Sequence, residues 1–312
     1  NSFLFDFKKL QDLLIDKGRT QHEMESKNLI GILSAKEKPL DEVVNSNDSQ
    51  YHPDAKDDEL EPVRSILSFP QLLLHTLRIY NFKNAKTDIN KINEKELLDI
   101  FKNHSTIDTE NEAKKFIELL FQVRFVFDLF VIKWVRVNDN DEIHEIKNLR
   151  QYNVYRKWTY YLQRQKPNNE DGFSLLQSML YHSQQITTHY WLTPLLYTAL
   201  AEKNKNVLYQ KLRKFDNILF CTNDQRNLPE RTWALMKEID QNNLSVGREN
   251  LDILESSEGV NFPHYWFYKL EFVLWYKLKD KYPNWKNFRM TAKNSVEHVS
   301  PQTPAIKEDI VS

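Results

Sequence analysis

The chain has 312 residues, 43 of them basic and 44 acidic, for a net charge of −1. That balance gives no global attraction to nucleic acid, so any such contact must come from a local patch. Hydrophobic residues at 40% and aromatic residues at 12% exclude a disordered chain, and the longest apolar run, 125–134, is broken by Asp128 and Lys133 and is too short to cross a bilayer.

Cys221 is the single cysteine, so a disulfide framework and a Cys-based zinc site are excluded and a reducing compartment is expected. The Asn-x-Ser matches at Asn47, Asn103 and Asn243 are then read as chance. Glycine occurs only 5 times and never clustered, so no phosphate-cradling loop is encoded. No signal peptide is evident, and a first residue of Asn rather than Met suggests a piece of something longer.

In chain order, 1–33 reads as two short amphipathic helices, carried by Phe3, Phe7, Leu10, Leu13 and Leu14, then by Leu29, Ile30, Ile32 and Leu33. Residues 34–62 are polar, acidic and nearly free of bulky apolar side chains, as in a linker or loop. A helical domain is expected over 63–285. Ser68 is placed to cap its first helix, with Pro70 in the first turn. "NEKE" at 93–96 and "TENE" at 109–112 read as capping boxes. The second opens a long helix toward Val135 along Phe116, Leu119, Leu120, Val123, Phe127 and Phe130. Further helices are expected at 173–183, 187–202, 206–220, 229–242 and 262–279. In the last, Trp266, Phe267, Leu270, Val273, Leu274 and Leu278 recur at core spacing. Strand signals are nearly absent until 288–291 and 295–299, within a non-helical tail over 286–312.

Four features bear on chemistry. "NSVEHVSPQ" at 294–302 sets Glu297 directly before His298, with Pro301 beyond. Such a histidine can activate water and the carboxylate can offer a hard oxygen to a divalent cation. Neighbours on a regular strand face opposite ways, so both reach one site only where the strand ends, which Pro301 allows. Taken by itself, the pattern reads first as a surface turn. The stretch 152–166 interleaves Arg156, Lys157, Arg164 and Lys166 with Tyr152, Tyr155, Trp158, Tyr160 and Tyr161. The preferred reading is an amphipathic helix with solvated cations; the alternative is a nucleic-acid surface. His75, among Leu72, Leu73, Leu74 and Leu77, reads as a buried histidine with a satisfied hydrogen bond. His182 and His189 share a helix face only if no turn intervenes, and no carboxylate stands at ligand spacing to make them a metal site. "HEMES" at 22–26 has Ser26 where a zinc-protease motif needs histidine.

Several stretches, in order, resemble one family, the GmrSD-type modification-dependent restriction endonucleases of bacteria: "SILSFPQLLLHTLRIY" (65–80), "NEKELLDIF" (93–101), "FIELLFQVRFVFDLFVIK" (116–133), "LLQSMLYHSQQITTHYWLTPLL" (175–196) and "FYKLEFVLWYKL" (267–278). "NSVEHVSPQ" then resembles the opening of that family's C-terminal HNH-type nuclease domain, a ββα-metal fold. The resemblance implies His298 as general base, Glu297 as the acidic neighbour at a Mg or Mn ion, and modified phage DNA as substrate. It implies a bacterial cytoplasmic setting with no membrane. The family's N-terminal nucleotide-dependent domain carries Asp-Gly-Gln-Gln-Arg, which is absent here. The Gly-Asn-Leu segment and later asparagine of the nuclease domain do not follow Pro301 either. The expectation is therefore a mainly α chain ending in the truncated start of a nuclease, inactive alone and a poor metal binder. Two alternatives stay open: a non-enzymatic helical interaction module, and a DNA-binding domain using 152–166.

Overall fold

The computed structural model describes residues 63–105, 107–137, 141–153, 160–165, 172–183, 188–244, 252–255 and 262–292. The chain falls into two compact units, of which the larger comprises Pro62–Leu149 and Arg164–Ser312. Strand β1 (Val63–Ser65) leads into α1 (Phe69–Lys83). The Ser68 hydroxyl accepts from the Gln71 N–H at 3.3 Å, and the Gln71 side chain accepts from the Ser68 N–H at 3.0 Å. This capping box satisfies donors that the helix cannot, and Pro70 sits in the first turn, as expected. Thr109 and Glu112 form a second box at the start of α3 (Glu110–Phe130). Asn93 differs: it caps a single 3-10 turn, Glu94–Glu96, before α2 (Leu97–His104). The Glu96 carboxylate is taken up by the Asn93 amide at 2.6 Å and by Lys91 at 2.8 Å, not by the backbone.

The helix expected to reach Val135 stops at Phe130, and Lys133–Arg136 form β2. The β-branched Val131, Ile132 and Val135 favour extended backbone. Gln177 holds the switch on both sides, accepting from Ile132 N–H at 3.1 Å and donating to the Phe130 carbonyl at 2.8 Å. The buried Lys133 ammonium donates to the Asp128 and Val131 carbonyls at 2.8 and 3.2 Å, which suits the negative end of a helix. Burial lowers its pKa to about 8, with Arg164 and Arg124 adding to the shift and Asp128 opposing it.

Strand β2 pairs antiparallel with β1 and with β3 (Glu142–Glu145), placing Trp134 opposite both Arg64 and His144. Strands so early in the chain correct the expectation of almost none before residue 288. "KWVR" and "EIHE" read as polar, yet Lys133, His144 and Glu145 are buried. Residues 288–292 carry no strand.

Four more helices follow α4 (Phe173–Ser183): α5 (Leu192–Ala201), α6 (Lys205–Phe220), α7 (Leu228–Asp240) and α8 (His264–Leu278). Helix α5 is buried on nearly every side and packs against α1, α3, α6 and α7, as an all-round apolar helix must. Helix α8 packs against α4. Its buried residues are Tyr265, Tyr268, Phe272 and Trp275, while Phe267, Leu270 and Leu274 are exposed, so the face turned inward is not the one expected. The inward aromatics bring hydrogen-bonding tips. Tyr265 donates to the buried Asp216 of α6 at 2.9 Å, and Trp275 Nε1 donates to the Trp285 carbonyl at 2.9 Å. Lys269 also pairs with Asp216.

By itself, the pair β4 (Asn148–Asn153) and β5 (Tyr160–Gln165) makes a two-stranded sheet. The strand at 160–165 replaces the preferred helix over 152–166; adjacent Tyr160 and Tyr161 are strand formers. No helix among the described residues is long and apolar enough to cross a membrane.

Candidate functional site

The sheet register sets Trp134 against His144, with ring centroids 3.8 Å apart. Tyr181 and His182, in the last turn of α4, approach the His144 ring at 4.6 and 5.0 Å. His189, in the turn before α5, stacks on Tyr181 at 4.5 Å. His182 stacks on Tyr268 of α8 at 6.1 Å. Three histidines from three segments thus share one aromatic shell. His189 has φ +43°, a left-handed conformation rare for a residue with a Cβ. It breaks the helix expected over 187–202, so α5 begins only at Leu192.

A fourth histidine, His75 of α1, lies beyond His189. Its Nδ1 is 2.8 Å from the Thr193 hydroxyl, so the expected buried and hydrogen-bonded histidine is there in half. Its Nε2 has no hydrogen-bond partner among the described residues, and the nearby Thr188 backbone favours the protonated ring. His144 Nδ1 lies 2.8 Å from the Ser178 hydroxyl, while its Nε2 and His189 Nδ1 have no hydrogen-bond partner among the described residues. Desolvation dominates their protonation. It pushes His144 down to about 2 and His75 to about 3, and His182 and His189 to about 4. Neighbouring histidines act in the same direction, as do Arg64 on His144 and Arg78 on His75. All four rings are neutral near pH 7. Among the described residues, no three His, Cys, Asp or Glu side chains converge as a metal site.

On the Ser178 side of His144 a cavity of about 200 Å³ opens. Its enclosed wall is formed by His144, Glu145, Ser174, Ser178, Trp275 and Met290, all buried. Asn287 and Arg289 stand exposed at its rim. Gly172 shapes one corner: its φ is +86°, and an added Cβ would lie 2.6 Å from Trp275 Cζ3 and 2.8 Å from the Tyr209 hydroxyl. Gly172→Ala combines left-handed strain with overpacking and is expected to cost on the order of 2–4 kcal/mol. Urea unfolding checks this, and a change in the near-ultraviolet signal of Trp275 should accompany it.

The residues singled out in the sequence fall elsewhere. Glu297, His298, Arg156, Lys157 and Lys166 lie outside the described residues. Arg164 is placed on β5, part-buried and near enough to Lys133 to depress its pKa, so it is no solvated cation on a helix face. The histidine cluster had one sequence signal, the pair His182 and His189; nothing local linked either to His144. Compared with known protein families, curated proteins and solved structures, the chain matches none of them.

Proposed function

We propose that this chain is the helical middle and C-terminal portion of a GmrSD-type, modification-dependent DNA restriction endonuclease of bacterial antiphage defence, leading into an HNH-type nuclease. The observation that carries the reading is the ordered set of resembling stretches ending in Glu297-His298. One structural fact is consistent with it: the five upstream stretches lie on α1, the 3-10 turn with α2, α3, α4 to α5, and α8, helices of a single compact unit. That unit would be the scaffold between a nucleotide-dependent domain and the nuclease.

His298 would take a proton from the attacking water, a role worth about 10²–10⁴-fold in rate. A Mg or Mn ion, when bound, would neutralise charge on the phosphate, and the hard oxygen of Glu297 suits either. The test is to express the reading frame continued past Ser312 and assay modified phage DNA with Mg. Cleavage is expected, with a loss of at least about 100-fold on His298→Ala, and none from the 312-residue chain alone. Undiminished cleavage by the His298→Ala protein would overturn the reading.

One observation favours a second reading, a helical interaction module with no catalytic part: Phe267, Leu270 and Leu274 form an exposed apolar stripe on α8. Under it, the continued frame contains no Gly-Asn-Leu segment and cuts nothing.

A further inference from the structure

We propose that α6 and α8 together present a binding surface for the phosphate backbone of a nucleic acid, with Arg213 at its centre. The surface lies within one compact unit and does not depend on a nuclease following it.

The near-neutral total charge hides a segregation. Residues 203–215 and 275–290 hold 10 basic side chains and 1 acidic one, Asp280, whereas the whole chain has 43 and 44. The fold makes these two segments neighbours. Arg213 of α6 donates to the Tyr276 hydroxyl of α8 at 3.2 Å and lies over its ring at 4.4 Å. Lys214 and Lys277, next to that pair on their own helices, are exposed, as is Lys281 just past the end of α8. None of these four cations has a carboxylate within ion-pair reach among the described residues; Lys269 and Lys279 take Asp216 and Asp280. Asp216, whose charge Arg213 feels, is buried and already held by Lys269 and Tyr265.

Arg213 is also aimed. Its bonds to Tyr276 and to the Gln210 side chain, both at 3.2 Å, leave from Nη1. The edge made by Nε and Nη2 is left over, and that edge is the fork that takes two phosphate oxygens side by side. Arg78, by contrast, spends Nε and Nη2 on Asp88.

Gathered cations repel one another unless an anion shares them. A nucleic acid supplies one negative charge per about 1.7 Å of duplex, a density that scattered carboxylates do not match. An anionic membrane is the rival, because Phe267, Leu270 and Leu274 lie exposed on α8. It fits less well. Arg213 and Lys214 belong to α6, whose one exposed large hydrophobic is Val207, so these cations have no apolar stripe beside them to insert.

Fluorescence anisotropy of a short labelled DNA duplex with the 312-residue chain, between 50 and 200 mM NaCl, is the test. With four cations on phosphates, log K should fall against log salt with a slope of about −3 to −4, a loss of roughly 60–250-fold over that range. A second duplex of unrelated sequence should bind within a few fold. Arg213→Gln should weaken binding about tenfold and lower the slope by about 1. Arg213→Lys, which keeps the charge without the fork, should restore the slope and only part of the affinity. Lys277→Gln combined with Lys281→Gln should lower the slope by about 2. Neutralising Arg156 and Lys157 should leave binding in place. Absence of saturable binding at 50 mM NaCl overturns the proposal. So does an unchanged slope in the α6 and α8 variants when their melting profiles are intact, or binding lost only when Arg156 and Lys157 are neutralised. Retention by vesicles of phosphatidylcholine and phosphatidylserine, with no duplex bound, gives the surface to a membrane instead and overturns it too.

Discussion

Arg78→Met is expected to destabilise the protein by about 3–5 kcal/mol, the cost of leaving a buried charge partner without its mate. Arg78 is fully buried on α1. A guanidinium has five N–H donors, and here every one is used. Nε and one Nη2 hydrogen grip Asp88 at 2.8 and 2.7 Å, and the other Nη2 hydrogen reaches the Pro229 carbonyl at 2.9 Å. The Nη1 hydrogens go to the Thr193 and Thr232 hydroxyls at 3.2 and 3.1 Å. The rings of Tyr190 and Trp233 flank the cation at 5.5 and 5.9 Å. One side chain therefore bolts α1 to α5, α7 and the 84–93 connection.

The net worth of a buried ion pair against an apolar replacement can be near zero, but removal of one member alone is costly. That distinction gives the test. Arg78→Lys should rescue little, since an ammonium has three donors and no planar fork. Asp88→Asn added to Arg78→Met should recover part of the loss, because it removes the stranded carboxylate charge. Urea unfolding of the two single variants and the double should show a coupling of about 0.5–3 kcal/mol. Additive effects would mean that Asp88 and Arg78 act independently.

What the sequence disclosed followed how local each signal is. The Ser68 cap and the Thr109 box were legible because each acts within three residues, whereas the same pattern at 93–96 made no box and left Glu96 to Lys91 and the Asn93 amide. Helix α3 was legible in its apolar period but not in its end, because the arrest at Phe130 depends on Gln177, 47 residues away. Helix α8 was read with the wrong face inward. Leu270 and Leu274 look like core, while Tyr265 and Tyr268 look amphipathic; only the Asp216 carboxylate explains why a tyrosine is the better inward residue at 265. Strands β2 and β3 were hidden because their buried members include Lys133, His144 and Glu145. Lys133 and Glu145 find partners within five residues, the Asp128 and Val131 carbonyls and Lys147, whereas His144 meets Ser178 of another segment. The histidine shell and the cavity share that origin. Their members come from β3, α4, the turn before α5, and α8, so no spacing along the chain could announce them.

The second large effect is acid lability below pH 6.5. An unfolded histidine takes up a proton near 6.5, whereas the folded rings do so only at about 4 for His189, about 3 for His75 and about 2 for His144. Above pH 6.5 both states are neutral at these positions and the native state keeps its full stability. As pH falls below 6.5 the unfolded chain binds protons that the native state refuses, so stability declines by about 1.4 kcal/mol per pH unit for each ring. The decline eases first for His189, near pH 4, where its folded form at last titrates. By pH 5 each of these three enclosed rings has removed about 2 kcal/mol; His182 is more exposed and adds less. Against a total of about 5–15 kcal/mol that is a large share, and it brings a protein at the low end of the range to its unfolding threshold by pH 5. The local chemistry agrees. Arg78 donates to the same Thr193 hydroxyl that His75 Nδ1 meets, so a protonated His75 would stand against a second cation on one oxygen. The measurement is urea unfolding at pH 7.5, 6.0 and 5.0 for the wild type and His189→Asn. Asparagine tolerates the left-handed φ of +43° and does not titrate. The variant should show a slope lower by about 1.4 kcal/mol per pH unit between pH 6 and 5. A wild-type stability that stays flat from pH 7.5 to 5.0 would show that these rings are hydrated and protonate freely in the folded protein.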